Sequence, residues 1–299
     1  MSRLAILVVL AALASAPALA AGKGEPDIRT SDVDLFYRVY EAADRRPTAE
    51  VLQRDYLDAG SPGVREFIPE RILSAERLAK RIGEKPEVYD HARSCATALP
   101  EVRQRLKPAF HRLAQLYPEA KFPPITVLIG RNSSGGTAGP SGALIGLEVI
   151  CATMRPDETV ADRFVHVIAH EYGHVQQHEE NFPKPTVLEA SLIEGTAELV
   201  AQLSTGRILN HHLVAWTKGR EKALGEAFLR DADKTDLSAW LYNGIGTAEA
   251  PGDLGYWQGW TIARAYYDRA KDKRKALAEL IALKDPAGIL AASGWTPGG

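Results

Sequence analysis

The segment Val167–His174 reads Val-Ile-Ala-His-Glu-Tyr-Gly-His, and its apolar periodicity predicts an α-helix. His170 and His174 are four residues apart, so their side chains lie about one turn apart on one face of that helix. Two imidazoles with this spacing can bind one zinc ion. Glu171 is too close in sequence to serve as a third ligand. It points towards the open coordination position, where it can take a proton from a zinc-bound water molecule.

A surface helix with scattered histidines and glutamates is the alternative interpretation of this segment. Four apolar residues in and just before it predict a buried helix instead: Phe164, Val165, Val167 and Ile168. His166 and His178 extend the histidines into a ladder with the same spacing. Only the pair His170 and His174 has a glutamate at the catalytic offset, so we expect the two outer histidines to be neighbours of the site.

The helix expected next, in the segment Ser191–Leu199, contributes two glutamates. Glu194 and Glu198 are four residues apart and face the same way. A zinc site with two histidines needs a carboxylate from a facing helix, which suits Glu194. A carboxylate one turn further can accept the second ring N–H of a ligand histidine, so we expect Glu198 to orient His170. An acidic, solvated helix face is disfavoured by the apolar residues around these acids: Leu192, Ile193, Ala197, Leu199 and Val200.

The gluzincin metallopeptidases share the pattern H-E-x-x-H followed by E-x-x-x-D/E on the next helix. This chain resembles that pattern at five residues: His170, Glu171, His174, Glu194 and Glu198. Glu198 stands where many gluzincins carry an aspartate. Three segments also resemble a bacterial family of predicted zinc-dependent proteases: Tyr37–Tyr40, Tyr56–Gly63 and His170–Glu198. The resemblance implies zincin-like active-site helices, a bound Zn²⁺ ion and hydrolysis of peptide bonds.

In gluzincins, a strand at the edge of the sheet pairs with the backbone of the substrate. The resemblance places Ala143–Ile150 in this role, with Gly146 allowing the substrate backbone to come close. Some aminopeptidases carry a glutamate near this position that binds the free amine of the substrate. Glu148 is therefore a candidate substrate-binding residue, and the alternative is an outward-facing strand residue.

A late segment, Tyr256–Gly259, resembles the Tyr-x-x-G segment of some gluzincins. The tyrosine of that segment donates a hydrogen bond to the tetrahedral intermediate, so we expect Tyr256 to stabilise the oxyanion. A capping aromatic residue that packs against Trp257 and Trp260 is the alternative. Four further residues are candidates for the same role: Tyr172, His211, His212 and Tyr242.

The apolar patterns predict an α+β protein that is mainly helical with a small central sheet. Two β-rich runs, Ile125–Ile129 and Ala143–Ile150, are joined by a loop over Gly130–Gly142 that is rich in Gly and Ser. Three regions follow one another: a helical N-terminal region over 31–117, the sheet and zinc-site helices over 123–204, and a helical C-terminal region over 207–299. No linker separates them, so we expect residues 21–299 to form a single zincin-like metallopeptidase domain.

The chain of 299 residues begins with its only long apolar run. Arg3 precedes Leu4–Leu13, and the run closes with the small residues of Ala18–Ala20. This is the pattern of a signal peptide, which we expect over residues 1–20 with cleavage after Ala20. The sequence therefore predicts a periplasmic or secreted protein. No cysteine near the cleavage site offers a lipid attachment point, so we expect no stable membrane anchor after cleavage.

The charge balance and the cysteine count narrow the possible partners. The formal net charge is −2, from 36 basic and 38 acidic side chains. This balance argues against nucleic acid, which requires a dense basic patch. Cys95 and Cys151 are too few for a cysteine-based metal cluster. In an oxidising compartment they can form one disulfide, although two buried thiols suit the sequence equally well.

These residues predict an exported zinc-dependent peptidase that acts on a peptide or protein substrate. Two other functions stay open. In one, zinc joins two helices of a non-catalytic binding or structural module. In the other, the protein is a zinc hydrolase that cleaves a non-peptide amide. Glu171 disfavours the first, because a structural zinc site has no use for a carboxylate at that position.

Overall fold

The computed structural model describes residues 25–154, 158–177, 182–208, 210, 212–244 and 246–298. The predicted signal peptide, His178 and His211 lie outside the described residues. Within the described part of the chain, every helix is too short or too polar to cross a membrane.

The chain folds mainly into helices that precede and follow a small sheet. Before the second strand come β1 (Ile28–Arg29), α1 (Ser31–Ala42), α2 (Ala49–Leu52), α3 (Pro62–Phe67), α4 (Ala75–Glu84), α5 (Pro86–Cys95) and α6 (Leu99–Leu116). The central part contains β2 (Ile125–Leu128), β3 (Gly136–Gly139), β4 (Gly142–Gly146), α7 (Leu147–Ala152), α8 (Val160–Gln176) and α9 (Val187–Thr205). The last elements are α10 (His212–Thr217), α11 (Glu221–Asp231), α12 (Leu254–Arg269), α13 (Lys273–Ala282) and α14 (Pro286–Ser293).

The described strands form one mixed sheet in the order β1-β2-β4-β3. β2 is parallel to both β1 and β4, whereas β3 is antiparallel to β4. A mainly helical chain with one small mixed sheet confirms the predicted α+β class. β4 is an inner strand with partners on both sides, and β3 is an outer strand.

The prediction of a single strand over Ala143–Ile150 is wrong beyond Gly146. The chain turns into helix α7 at Leu147, so this apolar run contains a strand and a helix. Periodicity alone cannot distinguish the two in a short, fully buried run. The predicted loop over Gly130–Gly142 also contains a strand, because the backbone of Gly136–Gly139 pairs with β4.

Helices α8 and α9 each begin at a capping box. Thr159 and Asp162 exchange side-chain to backbone hydrogen bonds at the start of α8, and Thr186 and Glu189 do so at the start of α9. The apolar residues of α8 belong to a hydrophobic cluster shared with the sheet and the N-terminal helices. Those of α9 and α12 belong to a second cluster with the C-terminal helices. The contact between α8 and α9 therefore lies at the seam between the two clusters.

Cys95 and Cys151 form a disulfide, which the sequence left open. Their Cα atoms are 6.1 Å apart, within the range that a disulfide spans. The bond joins the end of α5 to α7. It therefore ties α7, which follows directly from β4, to the N-terminal helices.

Candidate metal centre

A glycine inside the histidine motif lets helix α9 approach helix α8. A Cβ atom on Gly173 would lie 2.5 Å from the Cα atom of Ala197, closer than side chains tolerate. The two backbones are therefore in direct contact beside the motif. This contact brings Glu194 and Glu198 of α9 over His170 and His174 of α8, as the sequence predicts.

Two further glycines let helix α12 approach helix α9 from its other side. A Cβ atom on Gly195 would overlap the backbone of Gly259, and one on Gly259 would overlap the carbonyl oxygen of Ser191. Gly195 directly follows Glu194, and Gly259 lies three residues after Tyr256. The crossing therefore places Tyr256 close to the carboxylate of Glu194.

Three polar atoms from α8 and α9 converge at this crossing. The Nε2 atoms of His170 and His174 are 3.1 Å apart, and they lie 3.2 and 3.1 Å from Oε2 of Glu194. Ligands about 2.0–2.1 Å from a tetrahedral zinc ion are roughly 3.3 Å from one another. All three side chains are less than a tenth exposed. The donor set and its spacing therefore fit a zinc ion, and the same three residues form a possible metal-binding group.

The second nitrogen of each histidine faces an oxygen. Nδ1 of His170 lies 3.4 Å from Oε2 of Glu198, and Nδ1 of His174 lies 2.8 Å from Oε1 of Gln177. The amide nitrogen of Gln177 donates to the carbonyl oxygen of Ile193, so its oxygen must accept from His174. A proton on Nδ1 leaves the lone pair of Nε2 directed at the shared centre. No sequence motif singles out Gln177, although it lies only three residues after His174.

The electrostatics of the three side chains keep the acid charged. Burial would raise the pKa of Glu194, but the positive charge and hydrogen bonds of His174 and His170 hold it well below its usual range. Burial likewise disfavours the charged form of His170, yet hydrogen bonds to Glu194 and Glu198 outweigh it and raise that pKa to about 9. The carboxylate of the cluster is therefore ionised, and a metal ion that binds at Nε2 of His170 would displace a proton from that imidazole.

A cleft of about 730 Å³ opens over this cluster. Its helical wall comes from α8, α9, α12 and the segment before α12, and its sheet wall comes from β3 and the loop that precedes β3. Glu171 lies between the two walls: a Cβ atom on Gly136 would overlap its carboxylate. The candidate base is therefore in direct contact with the outer strand of the sheet.

The structure places Gly146 and Glu148 away from the cleft, in contrast to their predicted roles. β4 is paired on both sides and cannot accept an added strand. A Cβ atom on Gly146 would overlap the carbonyl oxygen of Ser134, so the loop before β3 covers this glycine. Glu148 lies in the first turn of α7 and is fully buried, so it is not an outward-facing strand residue either.

Glu148 holds the loop that forms the sheet wall. Its Oε1 atom accepts a hydrogen bond of 3.0 Å from the backbone N–H of Asn132. Burial raises the pKa of Glu148 to about 7, although backbone hydrogen bonds, first among them that from Gly130, oppose the shift. The geometry therefore indicates a structural role for Glu148, whose carboxylate holds the loop between β2 and β3 in place.

Two of the candidate tyrosines line the cleft and one does not. The ring of Tyr256 stacks against His170 with centroids 6.0 Å apart. Burial and the charge of Glu194 raise its pKa well above the usual value, so its hydroxyl keeps its proton. Tyr242 donates a hydrogen bond of 2.8 Å to Oε1 of Glu194. Tyr172 donates to the carbonyl oxygen of Pro123 and faces away from the cleft.

A mainly helical α+β protein with a buried His-His-Glu cluster has the donor set of a mononuclear zinc protein. Residues 104–285 match the model of a family described as predicted Zn-dependent proteases (DUF2268), and the chain belongs to this family. The match confirms the resemblance to a family of predicted zinc-dependent proteases, and the matched residues include α8, α9 and α12. Searches of curated proteins and of solved structures gave no significant match.

Proposed function

We propose that the protein is a zinc-dependent metallopeptidase with zincin-like active-site helices, in which His170, His174 and Glu194 hold the metal. The observation that carries this proposal is the triangle of two Nε2 atoms and one carboxylate oxygen with edges of 3.1–3.2 Å. Glu171 next to the triangle distinguishes it from a purely structural site. The family description supports the same chemistry.

When bound, zinc would supply Lewis acidity, which polarises the scissile carbonyl group and lowers the pKa of the attacking water. Glu171 acts as the general base: it accepts a proton from the attacking water and later delivers it to the leaving amine. Its contact with Gly136 keeps the carboxylate between the ligand cluster and the sheet wall. Glu198 and Gln177 orient the two histidines through their Nδ1 atoms.

The substrate backbone pairs with the outer strand β3 instead of the predicted segment Ala143–Ile150. Among the described strands β3 pairs only with β4, so its other edge has backbone groups available for an added strand. Residues 135–138 line the cleft next to Glu171. A peptide added along this edge passes over the catalytic carboxylate, and small residues such as Gly135 and Gly136 leave room for it.

Tyr256 stabilises the negative oxygen that develops on the scissile carbonyl. Its side chain lines the cleft on the side of His170, and its high pKa keeps the hydroxyl protonated so that it can donate. The phenol, which donates a proton, thus complements Glu171, which accepts one; both side chains line the same cleft.

The protein works outside the cytoplasm, in the periplasm or after secretion, on a peptide or protein substrate. The apolar start of the sequence supports export. The disulfide between Cys95 and Cys151 suits an oxidising compartment. We expect no nucleic acid among its partners, because the formal net charge of −2 offers no excess of basic side chains for phosphate groups.

The proposal is tested by zinc analysis and peptide-library cleavage with the wild type and the variant Glu171→Gln. The variant removes the base and leaves the three ligand side chains in place. We expect one zinc ion per chain in both proteins and a fall in kcat of about 10²- to 10⁴-fold in the variant. Glu119→Gln, the same substitution at an exposed position, serves as the control and should behave like the wild type.

Near-wild-type cleavage by Glu171→Gln would show that the mechanism is wrong. Zinc binding without cleavage of any peptide by the wild type would favour the alternative functions. The non-catalytic module and the non-peptide amide hydrolase are then distinguished by hydrolysis of N-acyl amide substrates.

A further inference from the structure

Tyr242 holds one oxygen of the Glu194 carboxylate while the other oxygen faces the histidines. Its hydroxyl donates a hydrogen bond of 2.8 Å to Oε1, whereas Oε2 lies 3.1–3.2 Å from the two Nε2 atoms. The two oxygens of Glu194 therefore have separate partners. A hydrogen bond to Oε1 fixes the rotation of the carboxylate and keeps Oε2 directed at the centre of the cluster.

The backbone around Tyr242 adopts a conformation that L-residues rarely take. Tyr242 has a φ of 58°, in the left-handed region, and Asp253 has a φ of 55°. Such a conformation costs free energy and persists only where surrounding contacts impose it. The residue Tyr242 is also 63% exposed, so burial does not compensate for the strain.

A reciprocal pair of hydrogen bonds imposes this conformation. The backbone N–H of Asn243 donates to the Asp253 carboxylate at 3.1 Å, and the backbone N–H of Asp253 donates to the Asn243 side-chain oxygen at 2.6 Å. On the other side of Tyr242, the buried residue Trp240 accepts a hydrogen bond of 2.7 Å from the N–H of Gly255 at the start of α12. The segment is thus fixed to α12 on both sides of Tyr242.

We propose that Tyr242 is a positioning residue that orients the Glu194 carboxylate for metal binding; this rests on the proposed function. Glu198 and Gln177 already orient the two histidines, so Tyr242 provides the corresponding contact for the third ligand. Ligand carboxylates in metal sites depend on such outer hydrogen bonds for their orientation. A phenol has one proton to donate, so Tyr242 cannot hold Glu194 and also donate to an oxyanion. Tyr256, which lines the same cleft, is therefore the residue that donates to the oxyanion.

The test compares the zinc affinity of the wild type with those of Tyr242→Phe and Tyr256→Phe, measured by competition with a chromophoric chelator. Both variants lose one hydroxyl in the same cleft and keep the ring. We expect the zinc dissociation constant of Tyr242→Phe to rise about 10- to 100-fold. Tyr256→Phe should bind zinc within about twofold of the wild type and lose activity through kcat instead.

A second variant, Asn243→Ala, keeps the tyrosine hydroxyl but removes one half of the reciprocal pair. We expect its zinc affinity to lie between those of the wild type and Tyr242→Phe, because the loop then holds Tyr242 less firmly. Thermal unfolding in excess chelator checks that each apo variant folds like the wild type; Tyr242 and Asn243 are exposed, so we expect little change in stability from substitutions at these two positions.

An unchanged zinc affinity of Tyr242→Phe, in a wild-type background that does bind zinc, would overturn the positioning role alone. Failure of the wild-type protein to bind zinc would overturn the proposed function and the positioning role together. The two failures are therefore distinguished by the wild-type titration.

Discussion

The two walls of the cleft are built on different principles. The helical wall supplies side chains: the candidate ligands, the base and both cleft tyrosines come from α8, α9, α12 and the segment before α12. The sheet wall supplies backbone, from the Gly- and Ser-rich segment that leads into β3. Helix contacts through glycine fix the helical wall, whereas the sheet wall depends on a buried carboxylate behind it. Under the proposed function, the helical wall carries out the chemistry and the sheet wall binds the substrate.

The first prediction concerns a substitution that disrupts the helical wall. In Gly195→Ala the new Cβ atom overlaps the backbone of Gly259, so α9 and α12 must separate. We expect the free energy of unfolding to fall by about 3 kcal/mol, because two backbones cannot yield as a flexible side chain does. Zinc affinity should fall as well, since Glu194 is the preceding residue. Urea unfolding and chelator competition measure the two effects.

Gly83→Ala is the matched control for this substitution. A Cβ atom at Gly83, within α4, would meet nothing within 4 Å. This variant should be more stable than the wild type by about 0.5–1 kcal/mol, because alanine favours a helix. Equal effects of the two substitutions would show that glycine packing does not fix the helical wall.

The second prediction concerns the carboxylate behind the sheet wall. Burial raises the pKa of Glu148 from 4.5 to about 7 in the folded protein. A pKa that is higher in the folded state stabilises the protein fully below the unfolded pKa, and this contribution is lost as the pH rises through 7. We expect a loss of about 2–3 kcal/mol between pH 5 and pH 8.

The variant Glu148→Gln should lack this loss, because its side chain does not ionise. The comparison is made by urea unfolding at a series of pH values, with the exposed substitution Glu119→Gln as the control that keeps the wild-type dependence. An identical pH dependence in Glu148→Gln and the wild type would mean that Glu148 is not the group responsible.

A substitution at Gly136 changes only the contact between the two walls. In Gly136→Ala the Cβ atom overlaps the Glu171 carboxylate, which must move. We expect kcat to fall on the order of tenfold, because displacement of a catalytic group weakens proton transfer, while the stability changes little. In Gly135→Ala the nearest atom, Cγ1 of Val149, is 3.5 Å away, an ordinary contact, so peptidase assays should show near-wild-type activity.

Much of the helical wall could be predicted because its signals are short-range. The four-residue spacings of His170 with His174 and of Glu194 with Glu198 act within single helices. Because a catalytic zinc ion needs a third protein ligand, the sequence also predicts that these two helices face each other. The structure brings these four side chains together as expected. Gln177 follows the motif closely, yet its contact with His174 depends on how α8 ends.

The sheet wall could not be predicted in the same way. The run Ala143–Ile150 is apolar throughout, so its division into β4 and α7 leaves no periodic signal. Gly136–Gly139 has no apolar alternation and forms a strand only through its pairing with β4. The contact of Tyr242 with Glu194 spans 48 residues and depends on a left-handed backbone. The sequence therefore indicates Tyr242 only as one of several candidates for stabilising the oxyanion.

Under the proposed function, the position of the three metal ligands at the seam between two hydrophobic clusters would link metal supply to the lifetime of the protein. His170 and His174 come from the helix packed in the first cluster, and Glu194 comes from the helix packed in the second. An ion held by all three acts as a cross-link whose contribution follows mass action, about 2.7 kcal/mol at a free concentration 100 times the dissociation constant. Under zinc starvation the chain would lose this cross-link together with its activity. The idle form would then be the one that other proteases degrade first.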